Sequence, residues 1–196
     1  MERIDYLLVH EYLEKLADPS FPGPASGSAA ATIAAMAAAL LEMSCKVTMK
    51  NGGGNIPLAL NEIEVIRQHC LALATEDMEV LAEVVRAAKS RKENPEKYEC
   101  AIRNATDTLV SLVKNCEFIL REIEQLIPVC NKKVVAELIG STHMAEAALA
   151  SAKLGVEVNL HLLHDENYKE SVQGIMKNSY KNSIEMKERI LNIVNK

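Results

Sequence analysis

The residues best placed to do chemistry lie in two stretches of the chain. The first is a small-residue loop, Pro22-Gly-Pro-Ala-Ser-Gly-Ser28, which opens directly into an alanine-rich segment. At a helix N-terminus such a loop presents free backbone N–H groups that can hold an anionic group. The second is Asp77. It is the single charge in a stripe of positions spaced by three and four: Leu60, Ile63, Ile66, Cys70, Leu73, Asp77, Leu81 and Val84. Desolvation in such a stripe disfavours the ionised carboxylate and raises its pKa.

Other chemistries find little support. His161 and His164 are about one helical turn apart, but no third and fourth ligand accompanies them, so no metal is expected. His10-Glu11-x-x-Glu14 is not the H-E-x-x-H zinc pattern, and Glu-x-x-His, the di-iron bundle signature, does not occur. The five cysteines (Cys45, Cys70, Cys100, Cys116, Cys130) are odd in number and contain no C-x-x-C pair. Buried, reduced thiols in a cytoplasmic protein fit this pattern better than a disulfide framework or zinc knuckle.

A net charge of −5, 4% aromatic residues and no Trp argue against nucleic acid and anionic membrane as partners. The Met-Glu-Arg-Ile-Asp start has no signal-peptide core. The mostly apolar run Ala29–Met43 is 15 residues long, short of the roughly 20 that span a bilayer, and reads as a core helix.

The elements that must position these residues are helical. With 196 residues, 48% of them hydrophobic, the chain reads as one globular domain over 1–196. The pattern predicts a helix over Arg3–Ala17 with Ile4, Leu7, Leu8, Tyr12 and Leu16 on one face. A second runs from Ser28, as N-cap, to about Lys50. A third starts at Pro57 and reaches Ser90, and a fourth has Asn94 as cap and Pro95 as first residue, ending before Pro128. A fifth begins near Asn131, with a bend near Gly140, and a sixth covers Tyr168–Val194. Long helices on short loops predict an all-α, elongated antiparallel bundle of about five or six helices. The alanine-lined second helix suits a close helix–helix contact, including one across a dimer interface.

The order of these features resembles the formiminotetrahydrofolate cyclodeaminase and methenyltetrahydrofolate cyclohydrolase family. Leu16-Ala17 closes a short helix, and Pro24-Ala25-Ser26-Gly27-Ser28 stands where the family has Thr-Pro-Gly-Gly-Gly-Ser. An alanine-rich helix follows and Thr48-Met49-Lys50 closes it. Asp77 fits an Asp-x-x-Ala/Phe pattern and Lys92-Glu-Asn-Pro95 a polar turn. Cys130-Asn131-Lys132 resembles a Gly-Asn helix start, Gly155-x-x-x-Asn159 a Gly-x-x-x-Asn, and Asp165-Glu-Asn-Tyr168 an Asp-Glu-x-Phe. The sequence departs from the family where Ala25 and Ser26 replace glycines and where Leu109 replaces a proline. It also lacks a Ser-Asp pair, with Glu137 or Ser141 standing in its place.

The resemblance implies a helical homodimer that binds a folate derivative in a cleft lined by the glycine loop. It also implies chemistry at the one-carbon bridge of tetrahydrofolate: water addition to the methenyl carbon, or loss of ammonia from the formimino group with ring closure. Both need a proton carrier, and neither needs a metal or redox cofactor beyond tetrahydrofolate itself as the carrier of the substrate carbon. On this reading Asp77 is the proton carrier or ligand anchor. Ser26, Gly27 and Ser28 offer N–H groups and hydroxyls, while Thr48 and Lys50 meet the ligand at the helix end, Lys50 at an acidic glutamyl tail. Asn131 and Asn159 bond the pterin. The alternative is a non-catalytic folate-binding or interaction protein on the same dimeric scaffold.

Overall fold

The computed structural model describes residues 7–21, 23–51 and 60–194. Among the described residues six α-helices follow in order: α1 Val9–Ala17, α2 Ser26–Lys50, α3 Leu60–Ala88, α4 Pro95–Leu126, α5 Val135–Leu160 and α6 Glu166–Val194. A 3-10 turn, Lys132–Val134, leads into α5. No strand occurs among the described residues. The all-α bundle read from the sequence is the observed architecture. Its longest helix, α4, has 32 residues and so extends about 48 Å.

α2 is the central element. It packs against α3 and α5 and also touches α4, while α4 packs on α3, α5 and α6. Alanine is what allows this crowding. Ala30, Ala31, Ala34, Ala35, Ala37 and Ala38 are all buried, and with methyl side chains the neighbouring helices come close enough for Ser141 Oγ on α5 to donate to the Ala37 carbonyl at 2.7 Å. The helix has 25 residues and by length and composition is apolar enough to cross a membrane. The length of its apolar run therefore does not settle its place. Its packing does, because most of its apolar window is buried inside the bundle.

The core has two lobes. One, near the start of α2, gathers Leu73, Met78, Ile102, Leu109, Val113 and Leu149. The other gathers Leu41, Ile63, Ile119, Ile123, Leu138 and Ile190. The turn between α5 and α6 is tied down onto α4. Arg103 donates to Asp165 at 2.8 Å, and Glu99 accepts the N–H groups of His164 and Asp165 at 3.3 and 3.1 Å.

Some boundaries differ from the sequence reading. α2 starts at Ser26 with Ala25 as N-cap, so Ser28 lies inside the helix and is not its cap. α5 runs through Gly140 unbroken, and α6 starts two residues before Tyr168. Asn94 caps α4 as expected, accepting from Lys97 N–H at 3.0 Å. On α1 Tyr12 is buried, whereas Leu8, expected within the helix, is its extended N-cap and exposed. Ile4 and Pro57 lie outside the described residues. Of the cysteines, Cys45, Cys70 and Cys116 are buried, and burial pushes the Cys45 and Cys70 thiols up to about 11. Cys100 is exposed and Cys130 partly so, which corrects the expectation of buried thiols at these two positions.

Ile119 is completely buried in the second lobe. Ile119→Ala is expected to cost about 2–5 kcal/mol of stability, read as a lower denaturation midpoint in urea.

Candidate active site

α2 begins without a cap of its own, since Ala25 has no side chain able to accept a hydrogen bond. The acceptor comes from another helix. Asp77 of α3 lies over the first turn of α2, where its Oδ2 accepts the Ser28 hydroxyl at 3.1 Å. The anion cradle expected of this loop is thus occupied by the protein's own carboxylate, a favourable place for negative charge beside free N–H groups.

Gly27 makes this approach possible. A Cβ built on it would lie 2.5 Å from Asp77 Cγ and 2.8 Å from Oδ2, with Oδ1 closer still. The requirement is space, because Gly27 lies within the regular α2 helix. The same geometry accounts for the departures at positions 25 and 26. Ala25 is extended (φ −133°) and Ser26 is the first helical residue, so neither position calls for a left-handed backbone.

Two opposing effects act on the Asp77 carboxyl. Burial pushes it above the ordinary aspartate range, and the Ser28 hydroxyl and N–H pull it part of the way back; the net shift is upward. Tyr12 of α1, whose hydroxyl accepts from Thr32 Oγ1 at 3.3 Å, is raised by its own burial and further by Asp77.

Asp77 faces a cavity of about 450 Å³ between α2, α3, α4 and α5. Its polar residues are Ser26, Asp77, Ser151 and Asn159, and Asp77 is the only charged side chain among the described residues lining it. α3 contributes Asp77, Val80, Leu81 and Val84, one face of a helix at steps of three and four. α5 contributes Ser151, Gly155 and Asn159, again one face. Gly155 sits tightly against α4, where a Cβ would come within 2.7 Å of Leu109 Cδ1. The Asn159 side-chain amide has no partner among the described residues, so its donors and acceptor are free for a ligand. A partly water-excluded chamber with one raised carboxyl and one unpaired amide can hold a polar heterocycle and exchange a proton with it.

The structure therefore brings Ser26, Gly27, Asp77 and Asn159 together. Ser28 lies behind them, 0% exposed, and does not line the cavity. Thr48, Lys50 and Asn131 are elsewhere. Along α2, Thr48 is about 30 Å from Gly27. There its hydroxyl donates to the Ser44 carbonyl and accepts the Asn131 N–H at 3.1 Å. Asn131 caps the 3-10 turn by accepting from Lys133 N–H at 3.0 Å. Lys50 borders a separate open hollow with Lys46 and Arg67. Ser151 was missed in the sequence, although its position four residues before Gly155 and eight before Asn159 puts it on the same face of α5.

The fold matches the crystal structure of formiminotetrahydrofolate cyclodeaminase from Thermotoga maritima with a TM-score of 0.90, at 22% identity over 98% of each chain. The sequence places the protein within a family. It matches the Formiminotransferase-cyclodeaminase family model over residues 8–178, and the chain belongs to that family. It is also 28% identical over 174 residues, 83% of each chain, to the methenyltetrahydrofolate cyclohydrolase of Methylorubrum extorquens.

The two helical glycines with opposite surroundings give a direct check. Gly27→Ala must displace Asp77 and is expected to cost about 1–3 kcal/mol. Gly174→Ala on α6 has open space around it and is expected to gain up to about 1 kcal/mol. Thermal unfolding of both variants reads the contrast.

Proposed function

We propose that the protein is a folate one-carbon enzyme whose centre is the Asp77 cavity, adding water to the methenyl carbon of methenyltetrahydrofolate and opening it to the formyl compound. The same centre suits loss of ammonia from formiminotetrahydrofolate with closure of the methenyl bridge, because both reactions pass through a tetrahedral carbon between two nitrogens. The observation that carries the proposal is the placement of one raised carboxyl in a cavity with an unpaired amide. Family membership supports the substrate class, and the name of the Methylorubrum relative makes hydrolysis the first reaction to assay.

In the hydrolytic direction, water oxygen bonds to the bridge carbon as one of its protons passes to the Asp77 carboxylate. The tetrahedral carbon then releases one nitrogen. Asp77 returns its proton to that nitrogen while the hydroxyl proton departs and the carbonyl forms. One water is consumed and one proton leaves the cationic substrate. Burial serves this cycle, since a carboxyl raised above its usual range is a stronger base toward the attacking water. Asn159 and Ser151 offer hydrogen bonds to the pterin edge, and the apolar walls limit competing water.

A homodimer in the cytoplasm belongs to the same reading. The outer face of α2 leaves Ile33 and Met36 exposed, and α1 with its N-cap Leu8 leaves Leu8, Val9 and Leu13 exposed, an apolar surface that a second copy would cover.

Absorbance of methenyltetrahydrofolate, followed above its spontaneous hydrolysis, tests the activity. Asp77→Asn is expected to lower kcat at least tenfold, about 1.4 kcal/mol of transition-state stabilisation, with the fold intact. No tetrahydrofolate binding and no turnover of either substrate would rule the proposal out. The pH dependence has a defined sign. Because the folded pKa of Asp77 is raised, the folded state holds the proton more tightly than the unfolded chain. Stability therefore falls as pH rises from the unfolded value through the folded one. Denaturation measured across that window is expected to show the slope in the wild type and to lack this component in Asp77→Asn.

A further inference from the structure

We propose that Ser28 is the positioning residue of Asp77: buried behind the cavity, it fixes one carboxylate oxygen on the first turn of α2 and so sets how the carboxyl meets the substrate. The inference rests on the reading of Asp77 given above and assigns Ser28 a role other than ligand contact.

The geometry excludes direct contact. Ser28 is 0% exposed and is not among the residues lining the cavity. Its hydroxyl donates to Asp77 Oδ2 at 3.1 Å, and its backbone N–H also favours the ionised form of that carboxyl. The missing side chain of Gly27 leaves the carboxylate seated against the helix. Ser28 is itself held in place. It belongs to a packed first turn, and its carbonyl accepts Thr32 Oγ1 at 2.9 Å, a hydroxyl that also lies 3.3 Å from that of Tyr12.

Few other charges face Asp77. From α1 the ionisable group is Tyr12. The residues that α2, α4 and α5 turn toward the cavity carry none. On α3 itself Glu76 and Glu79 are exposed, and Glu76 accepts Thr108 Oγ1 of α4 at 2.8 Å. With so few neighbours, a single donated hydroxyl has a measurable influence on when Asp77 gains its proton.

The test is the titration of the Asp77 carboxyl by carbon-13 NMR in aspartate-labelled protein, assigned by the signal missing from Asp77→Asn. Removing the hydroxyl in Ser28→Ala removes a donor that favours the ionised form. The titration is therefore expected to move up by roughly half a unit or more. Ser28→Cys, close in size and a weaker donor, carries the same expectation if the alanine variant does not fold. This measurement needs no substrate, so it judges Ser28 even if the proposed reaction fails, whereas an Asp77→Asn variant with full turnover would refute that reaction alone. In turnover, the limb of the kcat–pH profile that belongs to Asp77 is expected to move up with the titration. KM should change less than about twofold, and Ser28→Ala combined with Asp77→Asn should be no slower than Asp77→Asn alone. An unmoved titration would overturn the proposal. So would a loss that adds to that of Asp77→Asn, or a rise in KM at constant kcat, which would make Ser28 a ligand contact.

Discussion

The structure around the site depends on one interaction, the carboxylate of Asp77 resting on the uncapped first turn of α2. The two helices need each other at this point. α2 offers N–H groups that its own loop does not satisfy, and α3 offers a charge that its apolar stripe does not solvate. The helix end favours the ionised carboxyl and burial favours the neutral one. Burial prevails, and the carboxyl is held above the ordinary aspartate range. Gly27 is the condition for this contact, because a single methyl group there would occupy the position of the carboxylate.

The rest of the bundle keeps that contact aligned with a cavity. Alanines let α5 lie close to α2, and Gly155 lets it lie close to Leu109 on α4. Together these bring Asn159 across from Asp77 in one chamber. The strut from Arg103 and Glu99 to the turn after α5 secures the end of the helix that carries Asn159. Protein interiors transmit small displacements, so residues far from the cavity contribute to its shape without touching its contents.

The sequence carried much of this. Periodicity and the Asn94-Pro95 cap gave the long helices, since those signals are local. The lone charge at Asp77 stood out for the same reason, whereas the Gly155–Asn159 pair came from the family resemblance. The start of α2 was misplaced because its cap comes from α3, a tertiary contact that no local pattern encodes. Ser28, chosen as the N-cap for its hydroxyl, does use that hydroxyl on a helix end, but through Asp77. Thr48, Lys50 and Asn131 entered as ligand contacts through the family resemblance, and the fold places them away from the loop. Order along a chain does not measure distance, and a straight helix places Thr48 about 30 Å from Gly27.

The most direct test of this account is a crystal structure of the protein with tetrahydrofolate bound. The account predicts the pterin in the chamber between α3 and α5, its one-carbon nitrogens within hydrogen-bonding reach of Asp77, about 3 Å, and an edge against Asn159. A ligand seated at the Thr48 and Asn131 end of α2, with the Asp77 chamber empty, would contradict it.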